Sequence, residues 1–96
     1  TKQPIMLDFW ATWCVSCKEL EEKTFSNKKV QQSLKNYKIL KVDVSDNTNN
    51  DKDLQKRFNI FGPPALIFFD KNGKEIKHKR VIGFKPPKEF LKIVNQ

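Results

Sequence analysis

The stretch Asp8-Phe9-Trp10-Ala11-Thr12-Trp13-Cys14-Val15-Ser16-Cys17-Lys18 carries both cysteines of the chain, two residues apart. An apolar run, Ile5-Met6-Leu7, leads into it and continues through Phe9 and Trp10, broken only by Asp8. A helix-forming stretch, Lys18-Glu19-Leu20-Glu21-Glu22-Lys23, follows. This order reads as a buried strand ending near Ala11 and a helix starting around Cys14. The first thiol then stands on the opening turn of a helix, where N–H groups lack intrahelical partners and the helix dipole is positive. A thiolate is stabilised there and its pKa falls. Cys17 lies one turn further in and is expected to be the more shielded. Cys14 is thus the candidate nucleophile toward a substrate disulfide, and Cys17 the candidate resolving thiol that attacks the mixed disulfide.

Two other readings of Cys-x-x-Cys compete. A structural disulfide gains little from closing so short a loop, and no second pair exists to build a framework. Half a zinc site lacks its other half, because the chain has no further cysteine and His78 is its only histidine. Redox chemistry is favoured, since the motif follows a strand and opens a helix.

Ninety-six residues make one domain, 1–96, able to bury a single core, and eight Phe, two Trp and one Tyr supply large side chains for it. No stretch reaches the eighteen or more apolar residues of a membrane span, and no signal peptide opens the chain. Thr1 stands only a few residues before the first strand, as expected of a domain cut from a longer protein. The formal charge of +8 raises a nucleic-acid reading. A lysine-rich solvated surface is preferred, because the aromatics fall in strand or helix-face patterns and not as stacking platforms. The densest basic cluster, Lys71 to Arg80, alternates around a turn. No nucleic acid and no membrane insertion of this domain are expected.

In chain order, Ile5 to Trp10 is the first strand, covered on both faces, and the helix from Cys14 runs to about Lys23. Thr24-Phe25-Ser26-Asn27 interrupts it, with Ser26 or Asn27 capping a second segment through Leu34. Tyr37 to Val44 reads as the second strand. Ser45 to Asp53 is polar and reads as a loop, since Asp46, Asp51 and Asp53 lack the Gly and terminal Glu of a calcium loop. Asn50 or Asp51 caps a short helix carrying Leu54 and Phe58. Ala65 to Phe69 is the third strand, Asp70-Lys71-Asn72-Gly73 a hairpin turn, and Glu75 to Ile82 the fourth strand. Gly83 breaks it, and Pro86-Pro87 starts a last helix with Phe90, Leu91 and Val94 facing inward. The fold class is α/β: a mixed four-stranded sheet with helices on both faces.

Several residues around the motif carry chemistry of their own. Asp8 sits in an otherwise apolar strand, where an unpaired carboxylate costs several kcal/mol. It either has a task or caps the strand end, and Lys41 in the neighbouring strand is its candidate partner. Glu21, four residues after Cys17, shares its helix face and either tunes the thiols or is simply solvated. No histidine lies in the pair Val15-Ser16, which favours a reductant over an oxidant.

The run Asp-Phe-Trp-Ala-x-Trp-Cys-x-x-Cys-Lys resembles the active-site stretch of the thioredoxin superfamily. With Trp13 to Glu19, Thr24-Phe25-Ser26, Val30, Phe61 to Asp70 and Val81-Ile82-Gly83-Phe84, the chain is most similar to the C-terminal periplasmic domain of DsbD-type thiol:disulfide interchange proteins. The resemblance covers nearly the whole chain and implies the thioredoxin fold. It implies proton exchange between Asp8 and Cys17. It makes Pro64 the family's cis-proline beside the thiols, and Trp13, Val15, Ser16, Pro63, Pro64, Gly83 and Phe84 the substrate-binding residues. At Pro63 the chain departs from the thioredoxin pattern: that residue has no N–H, so only its carbonyl can bond a partner's main chain.

The implied activity is protein-disulfide reduction, with no cofactor beyond the Cys14–Cys17 pair and no metal. Electrons would come from a membrane-embedded partner domain and pass to periplasmic protein disulfides, with a part in cytochrome c biogenesis. The implied partners are the N-terminal and transmembrane domains of the same DsbD-like protein, the domain itself being a monomer in the periplasm, held there by an inner-membrane protein. The alternatives are a free-standing thioredoxin-like reductase, cytoplasmic or periplasmic, and, more remotely, a redox-inactive basic binding module.

Overall fold

The computed structural model describes residues 2–96; Thr1 lies outside it. Strand β1 (Ile5–Trp10) leads into helix α1 (Val15–Glu19), which continues as a π-helical turn over Leu20–Thr24. Helix α2 (Lys28–Ser33), strand β2 (Lys38–Asp43), helix α3 (Asn49–Arg57) and strand β3 (Ala65–Phe69) follow. A 3₁₀ turn (Lys77–Lys79), a short strand β4 (Val81–Ile82) and helix α4 (Pro87–Val94) end the chain. The strands order as β2-β1-β3-β4. β1 runs parallel to β2, with Asp8 opposite Lys41, and antiparallel to β3, with Phe9 opposite Ala65 and Ile5 opposite Phe69. The sheet is therefore mixed, as expected, and the start of β3 lies at the cysteine end of β1.

Side chains alternate across β1 and build two cores. Met6 packs with Leu66, Phe68 and Val81 under α2 and α4, against Val30, Leu34, Phe90 and Val94. Phe9 and Ala11 face the other way with Val44, Ile60, Ala65 and Ile67, covered by Leu54 and Phe58 of α3. Edge-to-face aromatic pairs brace each side, Phe25–Phe90 and Tyr37–Phe68 on the first and Phe9–Phe58 on the second.

Local structure departs from the sequence reading in four places. The first helix begins at Val15, with Cys14 as its N-cap, and carries on through a π turn closed by the Phe25 N–H on the Leu20 carbonyl at 2.8 Å. Of the two caps expected for α2, Asn27 is the one used: its Oδ1 accepts from the Lys29 and Val30 N–H groups, while the Ser26 hydroxyl donates back to the Glu22 carbonyl. Strand β2 is shorter than Tyr37–Val44 and lies at the sheet edge, leaving Ile39 and Leu40 44% and 40% exposed. Helix α3 is capped by Thr48, not by Asn50 or Asp51. Asp51 occupies the third helical position, where its carboxylate accepts the Thr48 N–H while its own N–H donates to Thr48 Oγ1, both at 3.1 Å. The helix thus starts inside the polar stretch read as a loop.

The last departure is the fourth strand, which spans Val81–Ile82 and not Glu75–Ile82. Glu75 keeps one isolated bridge to Phe69, and the chain then turns through Lys77–Lys79. The cause is a competing partner: Arg80 reaches both Glu75 carboxylate oxygens, at 2.6 and 3.0 Å, and the Phe58 carbonyl at 2.7 Å. The hairpin turn forms as expected. Asp70 Oδ1 accepts from the Asn72 and Lys74 N–H groups, and Gly73 takes the positive φ of +84°. No helix among the described residues is long and apolar enough to cross a membrane.

Candidate active site

Cys14 and Cys17 are joined by a disulfide. The geometry that brings them together is the helix start: β1 ends at Trp10, the Cys14 N–H bonds the Ala11 carbonyl at 3.2 Å, and the chain turns into α1. The Cys17 N–H points back at Cys14 Sγ, 3.1 Å away. A sulfur accepting a backbone N–H is better stabilised as a thiolate than as a thiol. The loop before it is pinned from the turn after β2: Ser45 Oγ accepts the Thr12 N–H at 2.8 Å, and the Ser45 carbonyl accepts the Trp13 indole N–H at 2.9 Å. Ser45 is itself held by Asp43, which accepts both its N–H and its hydroxyl.

The relative shielding of the two cysteines is the reverse of the sequence expectation. Cys14 is only 6% exposed and packs with Ala11, Ile60 and Ala65, whereas Cys17 is partly exposed. Cys17 faces a cavity of ≈ 420 Å³ that it lines with Asp8, Trp10, Glu21, Lys41 and Pro64. The reason is position: both cysteines pack against the cluster under α3, but Cys14, the helix cap, is buried within it, while Cys17 sits at its margin and also lines the cavity beside Asp8.

That cavity unites most of the residues singled out in the sequence. Asp8 is 5% exposed, and burial pushes its carboxyl up from 3.8 to about 6, with Lys41 pulling it down and Glu21 pushing it up. Lys41 is the strand neighbour of Asp8, yet its Nζ lies on Glu21, 4.0 Å from Oε2, with both side chains more than half exposed. The lysine therefore links the two acids across the cavity mouth and is not closed onto Asp8 alone. Glu21 meets Cys17 and Asp8 at this cavity, and the cavity does not include Cys14.

The opposite wall is the turn into β3. The Pro63–Pro64 peptide bond is cis, Pro64 is buried, and its carbonyl accepts the Gly83 N–H at 3.0 Å. This bond carries the Gly83-Phe84 turn to the same end of the sheet, where Lys23 Nζ stands 5.9 Å over the Phe84 ring. Trp13 and Val15 flank the disulfide at 58% and 71% exposure, and Ser16 is partly exposed. Sequence reasoning missed the role of Ser45, which β1–β2 pairing brings to the motif from 31 positions beyond Cys14; it also left out Trp10 and Phe25, which line the Cys17 cavity from beside the motif itself.

A cysteine pair opening a helix beside a cis-proline, on a β2-β1-β3-β4 sheet, defines the class: the chain belongs to the thioredoxin-like domain family, whose model matches residues 1–96. Within it, the chain is 51% identical over 90 residues to the thiol:disulfide interchange protein DsbD of Campylobacter jejuni strain RM1221, which covers 94% of this chain and 15% of that protein. The DsbD of Actinobacillus pleuropneumoniae serotype 5b is 45% identical over 92 residues, 96% of this chain and 16% of its own length. The chain thus spans about one sixth of these curated relatives. The oxidised DsbD C-terminal domain of Neisseria meningitidis superposes with a TM-score of 0.83 at 30% identity, covering 98% of this chain and 79% of that one.

Proposed function

We propose that this domain is a thiol:disulfide oxidoreductase working as a reductant of protein disulfides. The observation that carries the reading is the Cys14–Cys17 pair set against a buried, proton-binding carboxylate, Asp8, across one cavity. In the reduced domain the Cys14 thiolate, held by the Cys17 N–H, attacks one sulfur of the substrate disulfide and expels the other as a thiolate. Cys17 then loses its proton and attacks Cys14 Sγ, which re-forms the domain's disulfide and releases the substrate dithiol. Two electrons pass to the substrate, and the proton of Cys17 goes to Asp8. A carboxyl that titrates at about 6 is ionised, and able to accept that proton, at neutral pH.

Glu21 and Lys41 set the charge at the cavity mouth: Glu21 opposes ionisation of Asp8, and Lys41 favours it. The exposed Trp13 and Val15, with Ser16, Pro63, Pro64, Gly83 and Phe84, form the surface that meets substrate. The reoxidised domain must be reduced again by another dithiol. Similarity to DsbD supports a donor in a membrane-embedded domain of the same longer protein, of which residues 1–96 are one domain, with the chemistry carried out in the periplasm. A free-standing reductase is the second reading.

The test is reduction of insulin disulfides by the domain kept reduced with a dithiol donor. Catalysed precipitation that disappears in Cys14→Ser supports the assignment; equal rates with and without the domain would sink it. The sequence flanking residues 1–96 separates the two readings, since membrane-spanning segments preceding the domain are required by the first.

A further inference from the structure

We propose that Phe61 is the anchor by which the domain docks a disulfide-bearing polypeptide, and that Lys52 and Lys56 select polypeptides with acidic residues beside the disulfide. The inference rests on the reductase reading above and adds a specificity determinant to it. Phe61 is 99% exposed, the extreme among the large apolar side chains of the described residues. An aromatic ring left wholly in water gains nothing for the fold, and such residues mark binding surfaces when they sit beside a site.

Its surroundings hold it ready. Ile60, just before it, is buried in the cluster that contains Cys14 and Ala65, and its N–H bonds the Gln55 carbonyl at 2.9 Å. Gly62-Pro63-Pro64 follows, and the prolines fix their own φ angles. The ring is therefore presented next to an anchored residue, Ile60, and three residues from Pro64. Pro63 supplies the second argument. Lacking an N–H, it cannot make both hydrogen bonds of a strand-like pairing with substrate. Docking has to draw on side chains, and Phe61 is the large one on offer.

Charge identifies the occupant. Phe61 and Ile60 line a groove of ≈ 290 Å³ together with Lys52 and Lys56, one helical turn apart on α3, and its lining contains no acidic residue. Both lysines are exposed. An apolar side chain flanked by carboxylates fits this arrangement: it covers the Phe61 ring while its neighbours meet the two cations.

Two peptides with the same intramolecular disulfide ring, one flanked by Glu-Phe-Glu and the other by Lys-Phe-Lys, probe this directly, with hydroxyethyl disulfide as a substrate too small to reach the groove. The reduced domain is expected to reduce the acidic peptide about tenfold more efficiently at low salt, with the preference shrinking at high salt. Lys52→Glu with Lys56→Glu should abolish or invert it. Phe61→Ala should raise KM about tenfold for the acidic peptide, leave kcat within twofold, and leave hydroxyethyl disulfide unaffected; Phe61→Leu should recover part of the loss. Equal rates on the two peptides, an unchanged KM in Phe61→Ala, or an equal loss on hydroxyethyl disulfide would each overturn the proposal. Failure of the unmodified domain to reduce any of the three would instead overturn the reductase reading.

Discussion

The two ends of the sheet are built on opposite terms. At the hairpin end, polar groups close on one another: Asp70 holds the turn, Glu75 grips Arg80 with two bonds, Arg80 caps the Phe58 carbonyl, and Lys79 Nζ reaches the Val94 carbonyl at 2.9 Å. At the cysteine end, Asp8 is buried and titrates near 6, the Trp10 indole N–H is buried without a partner among the described residues, and Phe61, Trp13 and Val15 stand in water. The same strands, β1 and β3, run through both ends. Unfavourable placements are tolerated at one end because the sheet and two cores hold the other, and such placements gather where chemistry is done.

The contrast breaks most sharply if the cysteines are not the working parts. Cys14→Ser should lose protein-disulfide reduction entirely, while Cys17→Ser should accumulate a mixed disulfide with its substrate through Cys14, visible on a non-reducing gel. A trap that forms through Cys17 would reverse the roles, and the partial exposure of Cys17 makes this worth measuring at limiting alkylating reagent.

Asp8 sharpens the comparison next. Its folded pKa of about 6 lies above the ordinary 3.8, so folding takes up a proton between those values and this group's contribution to stability falls as pH rises from about 4 to about 6. Asp8→Asn is therefore expected to stabilise the oxidised domain by on the order of 2–3 kcal/mol at pH 8 and by nothing near pH 3.5, in urea melts at the two pH values. The same variant should slow release of the mixed disulfide. A variant no more stable than its parent at pH 8 would mean that the carboxylate is better solvated than its burial implies.

Arg80→Ala tests the other end with a smaller effect of opposite sign. Glu75 is held below the usual carboxylate range, chiefly by its hydrogen bonds from Arg80, so the pair's contribution is present at neutral pH and lost on acidification through that lowered value. The substitution should cost about 1–2 kcal/mol at pH 7, since both side chains keep some solvent access, with activity per folded molecule unchanged. Lost activity at unchanged stability would erase the division between the ends. The smallest effect is expected from Lys71→Glu with Lys74→Glu. The turn lies at the Ile5 and Phe69 end of the sheet, far along β3 from the cysteines, and screening over about 8 Å at 0.15 M salt isolates it. Reduction rates should stay within threefold at low and physiological salt.

Much of this was legible in the chain, because local rules carried it. The Asp8-to-Lys18 stretch shows its strand, turn and helix start through apolar pattern and helix propensity alone, and the resemblance carried by the same residues led to the right family and to the mixed sheet. The Asn72-Gly73 turn and the Pro86-Pro87 helix start are equally local. What the chain could not show were competitions settled by a distant partner. Glu75 to Ile82 alternates like a strand, but Arg80 prefers Glu75 and the Phe58 carbonyl, and β4 shrinks to Val81–Ile82. Lys41 is opposite Asp8 in register, yet its long side chain reaches Glu21, which a helix brings over the sheet.

The shielding of the two thiols belongs with these. Helix position alone makes Cys17 the inner one. Which thiol meets solvent is decided by what packs over each, an open cavity beside Cys17 and, over Cys14, Ile60 and Ala65, which come from 46 or more positions further along the chain. Sequence by itself determined the order and type of the main elements, the cysteine pair and the family, because periodicity, capping and motif spacing act over a few residues. Tertiary structure alone decided the raised pKa of Asp8, the order of exposure of the thiols and the bare ring of Phe61, because burial is a property of whatever the rest of the chain lays on top.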